Sequence, residues 1–190
     1  MPALTQRYTP SEIDELLNRA DAASRRLIRD VPDFPKPGVV FKDITNLLVD
    51  AVAFDLVVTA LVAPFLGRVD KVAAIEARGF ILGAPAAVAL GAGLVPLRKP
   101  GKLPWETLRE SYELEYGIDA LEIHTDALAP GDRVLLVDDV IATGGTAAAT
   151  AEMVEVLGGH VACFAFLIEL EFLNGRQRLG GRALEALLRY

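Results

Sequence analysis

Residues 133–147, with the sequence RVLLVDDVIATGGTA, constrain this chain more than any other stretch. The apolar residues 134–137 predict a buried strand, and two adjacent carboxylates, Asp138 and Asp139, stand at its C-terminal end. Thr143, Gly144, Gly145 and Thr146 then predict a tight turn opening an Ala-rich helix. Such a turn presents consecutive backbone N–H groups, and the helix N-terminus adds the positive end of its dipole, so phosphate is favoured there. The carboxylates would repel that anion. They accept hydrogen bonds, which suits vicinal hydroxyls carried by the same ligand. A phosphorylated ribose satisfies both halves. A plain strand–turn connection would account for the glycines, but not for an acidic pair and two threonines in register. The run also lacks the Gly-Lys-Ser/Thr of a nucleoside-triphosphate loop and the spacing of a dinucleotide fingerprint.

The rest of the chain predicts the frame for this turn. Thr9, Pro10 and Glu12 form a helix start with a capping box, followed by Ile13, Leu16, Leu17, Ala20, Ala23 and Leu27 at helical spacing. The proline-rich residues 31–38 must be extended and irregular. A helix is expected over residues 51–66, then a strand at 71–75, a small-residue helix at 81–90 and a strand at 94–97. The strand at 134–137, a helix at 146–157 ended by Gly158 and Gly159, and a strand at 161–167 complete the rhythm. Strands alternating with helices imply an α/β fold with a central parallel sheet flanked by helices and ligands at the strand C-terminal ends. Residues 99–110 make a long polar interruption of the kind that serves as a lid. Beyond it, residues 111–116 and 118–124 alternate on either side of Gly117, which predicts a β-arm.

Composition sets the surroundings. A chain of 190 residues suits a single domain, residues 1–190, and it has no apolar run near the ~18 residues of a membrane span. The first ten residues carry no apolar signal core, and the single cysteine, Cys163, sits in an apolar run that marks it as buried filler. A cytoplasmic setting is expected. The net charge of −7 argues against a nucleic-acid surface, and it makes the basic cluster Arg98, Lys99 and Lys102 conspicuous. That cluster opens the long loop, where mobile cations suit a departing pyrophosphate. Glu76, Ala77, Arg78 and Gly79 follow the first strand; Arg78 offers a planar fork to phosphate and Gly79 allows close approach. Phe41 is either core or a platform for a flat base.

Together these pieces resemble the type I phosphoribosyltransferases, and within them the adenine phosphoribosyltransferase family, over residues 28–170. The resemblance rests on FPKPGVVFKDIT at 34–45, EARGF at 76–80, RKPGKLP at 98–104, YELEYG at 112–117 and VDDVIATGGT at 137–146. It implies a single-domain fold with an N-terminal hood near 28–45 and a mobile loop near 99–117. It implies transfer of phosphoribosyl from phosphoribosyl pyrophosphate (PRPP) to adenine, giving AMP and pyrophosphate. Asp138 and Asp139 would hold the ribose hydroxyls, and Ala142, Thr143, Gly144, Gly145 and Thr146 the 5′-phosphate. Arg78, Arg98, Lys99 and Lys102 would contact pyrophosphate, Arg78 with a catalytic part. Val40, Phe41 and Lys42 would form the base pocket with Leu170 opposite; many relatives have Arg where Lys42 stands. Glu115 would handle a proton or stabilise charge, and Tyr116 would help to close the loop. Mg²⁺ would arrive on PRPP rather than in a protein cage, since no His, Cys and carboxylate cluster stands out. A homodimer follows from the resemblance, with no nucleic-acid or membrane partner. Transfer to another purine base and a non-catalytic PRPP-sensing regulator are the alternatives; the hood segment disfavours the first, and the acidic charge the second.

Overall fold

The computed structural model describes residues 8–114 and 117–190. The first helix, α1 (Pro10–Leu27), starts as its sequence requires: the Thr9 hydroxyl accepts the Glu12 N–H at 3.3 Å, and the Glu12 carboxylate accepts the Thr9 N–H at 2.7 Å. Two short antiparallel strands, β1 (Arg29–Pro32) and β2 (Val40–Asp43), then form the hood. The prolines fall mostly in the turn between them, where Gly38 takes a positive φ and donates its N–H to Asp33 at 2.8 Å. Asp50 divides the next stretch into α2 (Thr45–Val49) and α3 (Ala51–Val62), its carboxylate capping α3 by accepting from Val52 and Ala53.

The remaining elements build the frame of the site: β3 (Lys71–Ile75), α4 (Arg78–Leu90), β4 (Gly93–Leu97), β5 (Thr107–Leu114), β6 (Gly117–His124), β7 (Arg133–Ile141), α5 (Gly145–Val156), β8 (His160–Glu169) and β9 (Leu184–Arg189). Five of the strands make one parallel sheet in the order β4-β3-β7-β8-β9, while β5 and β6 pair antiparallel as a separate arm. Strand alternation sorts the core into two layers. Val72, Leu135, Val137, Cys163, Ala165 and Leu167 pack with α1, α3 and α4 on one face. Ala73, Ile75, Val134, Leu136, Phe164 and Phe166 pack with α5 and the arm on the other. Helix α4 lies so close to the sheet that a Cβ on Gly83 would stand 2.5 Å from the Ala74 Cβ. Cys163 is buried, and burial pushes its thiol up to about 11.

Several boundaries differ from the sequence expectation, and those of β7 and β9 do so for a tertiary reason. Helix α4 begins at Arg78 rather than 81, which puts the arginine on its first turn. Strand β7 does not stop at 137: parallel pairing of Asp138 with Phe166 and Ile141 with Glu169 carries it through the acidic pair. Strand β9 adds a sheet edge from a segment without a clear alternating pattern. The long interruption is shorter than 99–110, because β5 starts at Thr107.

Candidate active site

Two cavities meet at the C-terminal end of β7. The first, about 130 Å³, is enclosed by Asp138, Ala142, Thr143, Gly144, Gly145 and Thr146 over a floor of Ile75 and Phe166. Gly144 is held at φ 81°, a left-handed conformation that suits glycine, and α5 begins with the next residue. The turn therefore hands straight over to a helix N-terminus, where unpaired N–H groups and the dipole favour an anion. The second cavity, about 390 Å³, is lined by Glu76, Ala77, Arg78, Lys99, Tyr112, Asp119, Asp138, Asp139 and Thr146. Asp138 and Thr146 belong to both walls and mark the junction.

Because the acidic pair lies inside a strand, its two side chains diverge. Asp138 is partly exposed on the junction, whereas Asp139 is 4% exposed and receives the Nε–H of Arg78. The Asp139 N–H donates to Asp138 Oδ1 at 2.8 Å. Burial, reinforced by the neighbouring Asp139 charge, holds the Asp138 carboxyl well above the usual carboxylate range. Gly79 makes this crowding feasible, since a Cβ there would stand 2.8 Å from Asp138 Oδ1 and 3.0 Å from the Val137 carbonyl oxygen.

The cations around the second cavity are matched to internal carboxylates. Glu76 accepts from Lys102 Nζ at 2.6 Å, from the Lys99 N–H at 2.8 Å and from Arg98 Nε at 3.4 Å. The Lys102 bond in particular holds the Glu76 carboxyl below its ordinary value. Lys99 Nζ bonds Asp119 at 3.1 Å, which raises the ammonium. Arg78 reaches Asp139 and stacks its guanidinium 5.1 Å from the centroid of Phe41. Tyr112 reaches from the arm into the second cavity wall beside Asp119 and Thr146, and its burial raises the phenol.

The hood residues lie outside both cavity walls. Phe41 meets Phe34 edge-on at 5.2 Å, and Val40 is exposed. The Lys42 side chain turns away to bond Asp30 at 2.7 Å and to lie 3.8 Å from the Tyr190 ring, so any part Lys42 plays at a base falls to its backbone. Leu170 directly follows β8, donates its N–H to the Ile141 carbonyl and packs at the border of the core. Glu115 and Tyr116 lie outside the described residues. Glu76, Asp119 and Tyr112 are site residues that the sequence reading left without a role. Glu76 had a signal, since it precedes Arg78 at a strand end where carboxylates and cations converge.

A family model for the phosphoribosyl transferase domain matches residues 57–175, which include both cavities' strand-end walls. Adenine phosphoribosyltransferases from Myxococcus xanthus and Anaeromyxobacter dehalogenans are 58% and 59% identical over 86% and 88% of this chain, covering 89% and 98% of their own lengths. The chain belongs to the adenine phosphoribosyltransferase family. A solved adenine phosphoribosyltransferase from Thermoanaerobacter pseudethanolicus superposes with a TM-score of 0.87 at 53% identity, over 90% of this chain and 99% of that one. The Saccharomyces cerevisiae enzyme, solved with adenine and an imino-altritol bisphosphate, gives 0.86 at 36% identity over 90% and 99%. The parallel sheet with its hood and arm is thus the type I phosphoribosyltransferase fold.

Proposed function

We propose that the two cavities receive the two ends of one PRPP molecule, with Asp138 between them. The reaction is that of the family: adenine and PRPP give AMP and pyrophosphate, a step of purine salvage. The observation that carries the placement is the junction itself, a glycine-turn cradle at a helix N-terminus sharing the Asp138 wall with a larger cavity that Arg78 and Lys99 line. The loop 142–146 takes the 5′-phosphate. Asp138 and Asp139 accept from the ribose hydroxyls. Arg78, Arg98, Lys99 and Lys102 exchange their internal carboxylates for pyrophosphate oxygens.

As the bond between the anomeric carbon and pyrophosphate breaks, positive charge grows on the ribose and negative charge on the leaving group. Fixed carboxylates on one side and cations on the other stabilise that separation once water is excluded. A ring nitrogen of adenine closes the new bond and loses its proton, for which Glu115 is the proposed acceptor. Phe41 supplies the face on which adenine stacks, the backbone of Val40 and Lys42 reads its edge, and Leu170 packs opposite. Residues 99–117 act as the lid and Tyr116 closes with it. Residues 1–190 work as one catalytic domain.

Magnesium fits as a substrate-borne ion. Glu76 and Asp119 line the second cavity, and their oxygens would accept from the waters of an ion carried on pyrophosphate. When bound it would neutralise pyrophosphate charge. A homodimer is supported by an apolar stripe: Ile81, Ala84 and Val88 are exposed along one side of α4, beside exposed Leu94 on the sheet edge. No helix among the described residues is long and apolar enough to cross a membrane. A cytoplasmic setting accords with the single buried thiol.

The test is a steady-state assay of AMP formation from adenine, PRPP and Mg²⁺, set beside hypoxanthine and guanine. Turnover is expected with adenine, and its absence would overturn the assignment.

A further inference from the structure

The anion cradle is not self-supporting. Its turn leans on a second backbone segment, residues 174–176, that comes from beyond β8. A Cβ on Gly175 would stand 2.3 Å from the Ala142 carbonyl oxygen, 3.0 Å from the Gly144 nitrogen and 3.0 Å from Ile141 Cγ1. Reciprocally, a Cβ on Gly144 would stand 2.3 Å from the Gly175 carbonyl oxygen. Two main chains therefore touch with no side chain between them. Gly175 is not among the positive-φ residues, so its own conformation would accept alanine. The objection to a methyl group there comes from the turn it faces.

What holds Gly175 in that place is the next residue. The Arg176 guanidinium donates through Nε to Glu169 Oε1 at 3.0 Å and through a terminal nitrogen to Oε2 at 2.7 Å, a two-pronged grip on a carboxylate whose side chain is 7% exposed. Its other terminal nitrogen donates to the Leu184 carbonyl at 3.0 Å, on the first residue of β9. Glu169 ends β8, which pairs along β7, and the turn continues from β7. One arginine thus ties the bracing segment to the same strands that carry the cradle.

We infer that Gly175 and Arg176 are positioning residues for the 5′-phosphate: a glycine–glycine backbone contact, locked by the Arg176–Glu169 pair, sets the shape of the turn 142–146. The inference rests on reading that turn as the phosphate seat. Its consequence is specific. Disturbing the Gly175 contact weakens recognition of the phosphate and leaves recognition of the base alone, because Gly175 meets the turn at Ala142 and Gly144 and not the hood.

Calorimetric titration of the wild-type protein, Gly175→Ala and Arg176→Lys with AMP and with adenosine reads this directly. In the wild type AMP should bind much more tightly than adenosine. In Gly175→Ala that preference should shrink by about tenfold, the size of one lost hydrogen bond to a charged group. Adenosine affinity should stay as it was. Arg176→Lys keeps the charge but loses the fork, so its preference should fall by less. A wild type that binds the two ligands equally would overturn the phosphate seat itself. A wild type with the preference, beside a folded Gly175→Ala that keeps it whole, would overturn the brace alone. Should Gly175→Ala fail to fold, Arg176→Lys decides: a lowered melting temperature with an undiminished preference makes the contact merely structural and sinks the inference.

Discussion

The pairing of Arg78 with Asp139 can be tested as a free energy. Asp139 keeps 6% of its side-chain exposure and Arg78 keeps 46%, so the carboxylate is buried and the guanidinium is not. Removing one partner of a fully buried pair costs roughly 3–5 kcal/mol, and losing an exposed pair roughly 0.2–1 kcal/mol. With one member on each side of that divide, Arg78→Ala should cost about 2 kcal/mol, including part of the ~0.5–1 kcal/mol cation–π contact over Phe41. Asp139→Asn removes the buried charge but leaves a polar group of the same shape, so about 1 kcal/mol is expected. The double variant should cost clearly less than the sum, because neither change strands the other partner once both are made. Equilibrium urea unfolding of the four proteins gives the coupling, expected at about 1 kcal/mol. A coupling within ~0.3 kcal/mol of zero would mean that the two groups act independently, and the placement of Arg78 would fail with it.

Two further outcomes follow from the same corner of the molecule. On the proposed placement the ribose hydroxyls bond an ionised Asp138, whose carboxyl is held high by burial and by Asp139, so the KM for PRPP should fall as pH rises through that raised pKa. Stability should run the other way: a carboxyl with a raised native pKa binds a proton on folding, so its contribution declines as pH climbs from the ordinary Asp range through the raised value. Asp139→Asn should move the KM limb to lower pH, and a limb that stays put would remove Asp138 as its source. Gly79→Ala puts a methyl group 2.8 Å from the Asp138 carboxylate, which should cost roughly 1–3 kcal/mol and raise the KM for PRPP; a variant like wild type in both its melting curve and its KM would refute the close approach.

How far the sequence could be read depended on whether a feature was local. The capping box of α1 and strand β3 were legible because each is decided by residues within a few positions. The arm was legible because alternation on both sides of Gly117 has a period of two. The acidic pair and its turn were legible as a chemical combination, but not as part of a strand. The carboxylates look like a strand end in sequence, and it takes pairing with β8 to extend β7 beneath them. Strand β9 was hidden for a similar reason, since an edge strand is decided by the neighbour it pairs with. Gly175 carries no signal at all in one sequence. Its constraint comes from a carbonyl 33 positions earlier, at Ala142, that folding brings to its side.

The charges of the site make sense only when the acidic residues are counted with the basic ones. A cluster of Arg78, Arg98, Lys99 and Lys102 left to itself would repel and splay apart, and the loop bearing three of them would have no fixed place. Glu76 and Asp119 hold that loop against the strand ends, and Asp139 does the same for Arg78. On the proposed placement, each of these contacts is also one that pyrophosphate would replace. A ligand carrying a single negative charge could replace them only at the expense of leaving a buried or half-buried carboxylate unpaired. A pyrophosphate group, with several charges and a metal ion to share them, can satisfy the cations while its waters and ion meet the freed carboxylates. On that placement the internal ion pairs both order the site and discriminate by charge, favouring the activated sugar over a sugar that bears only its 5′-phosphate.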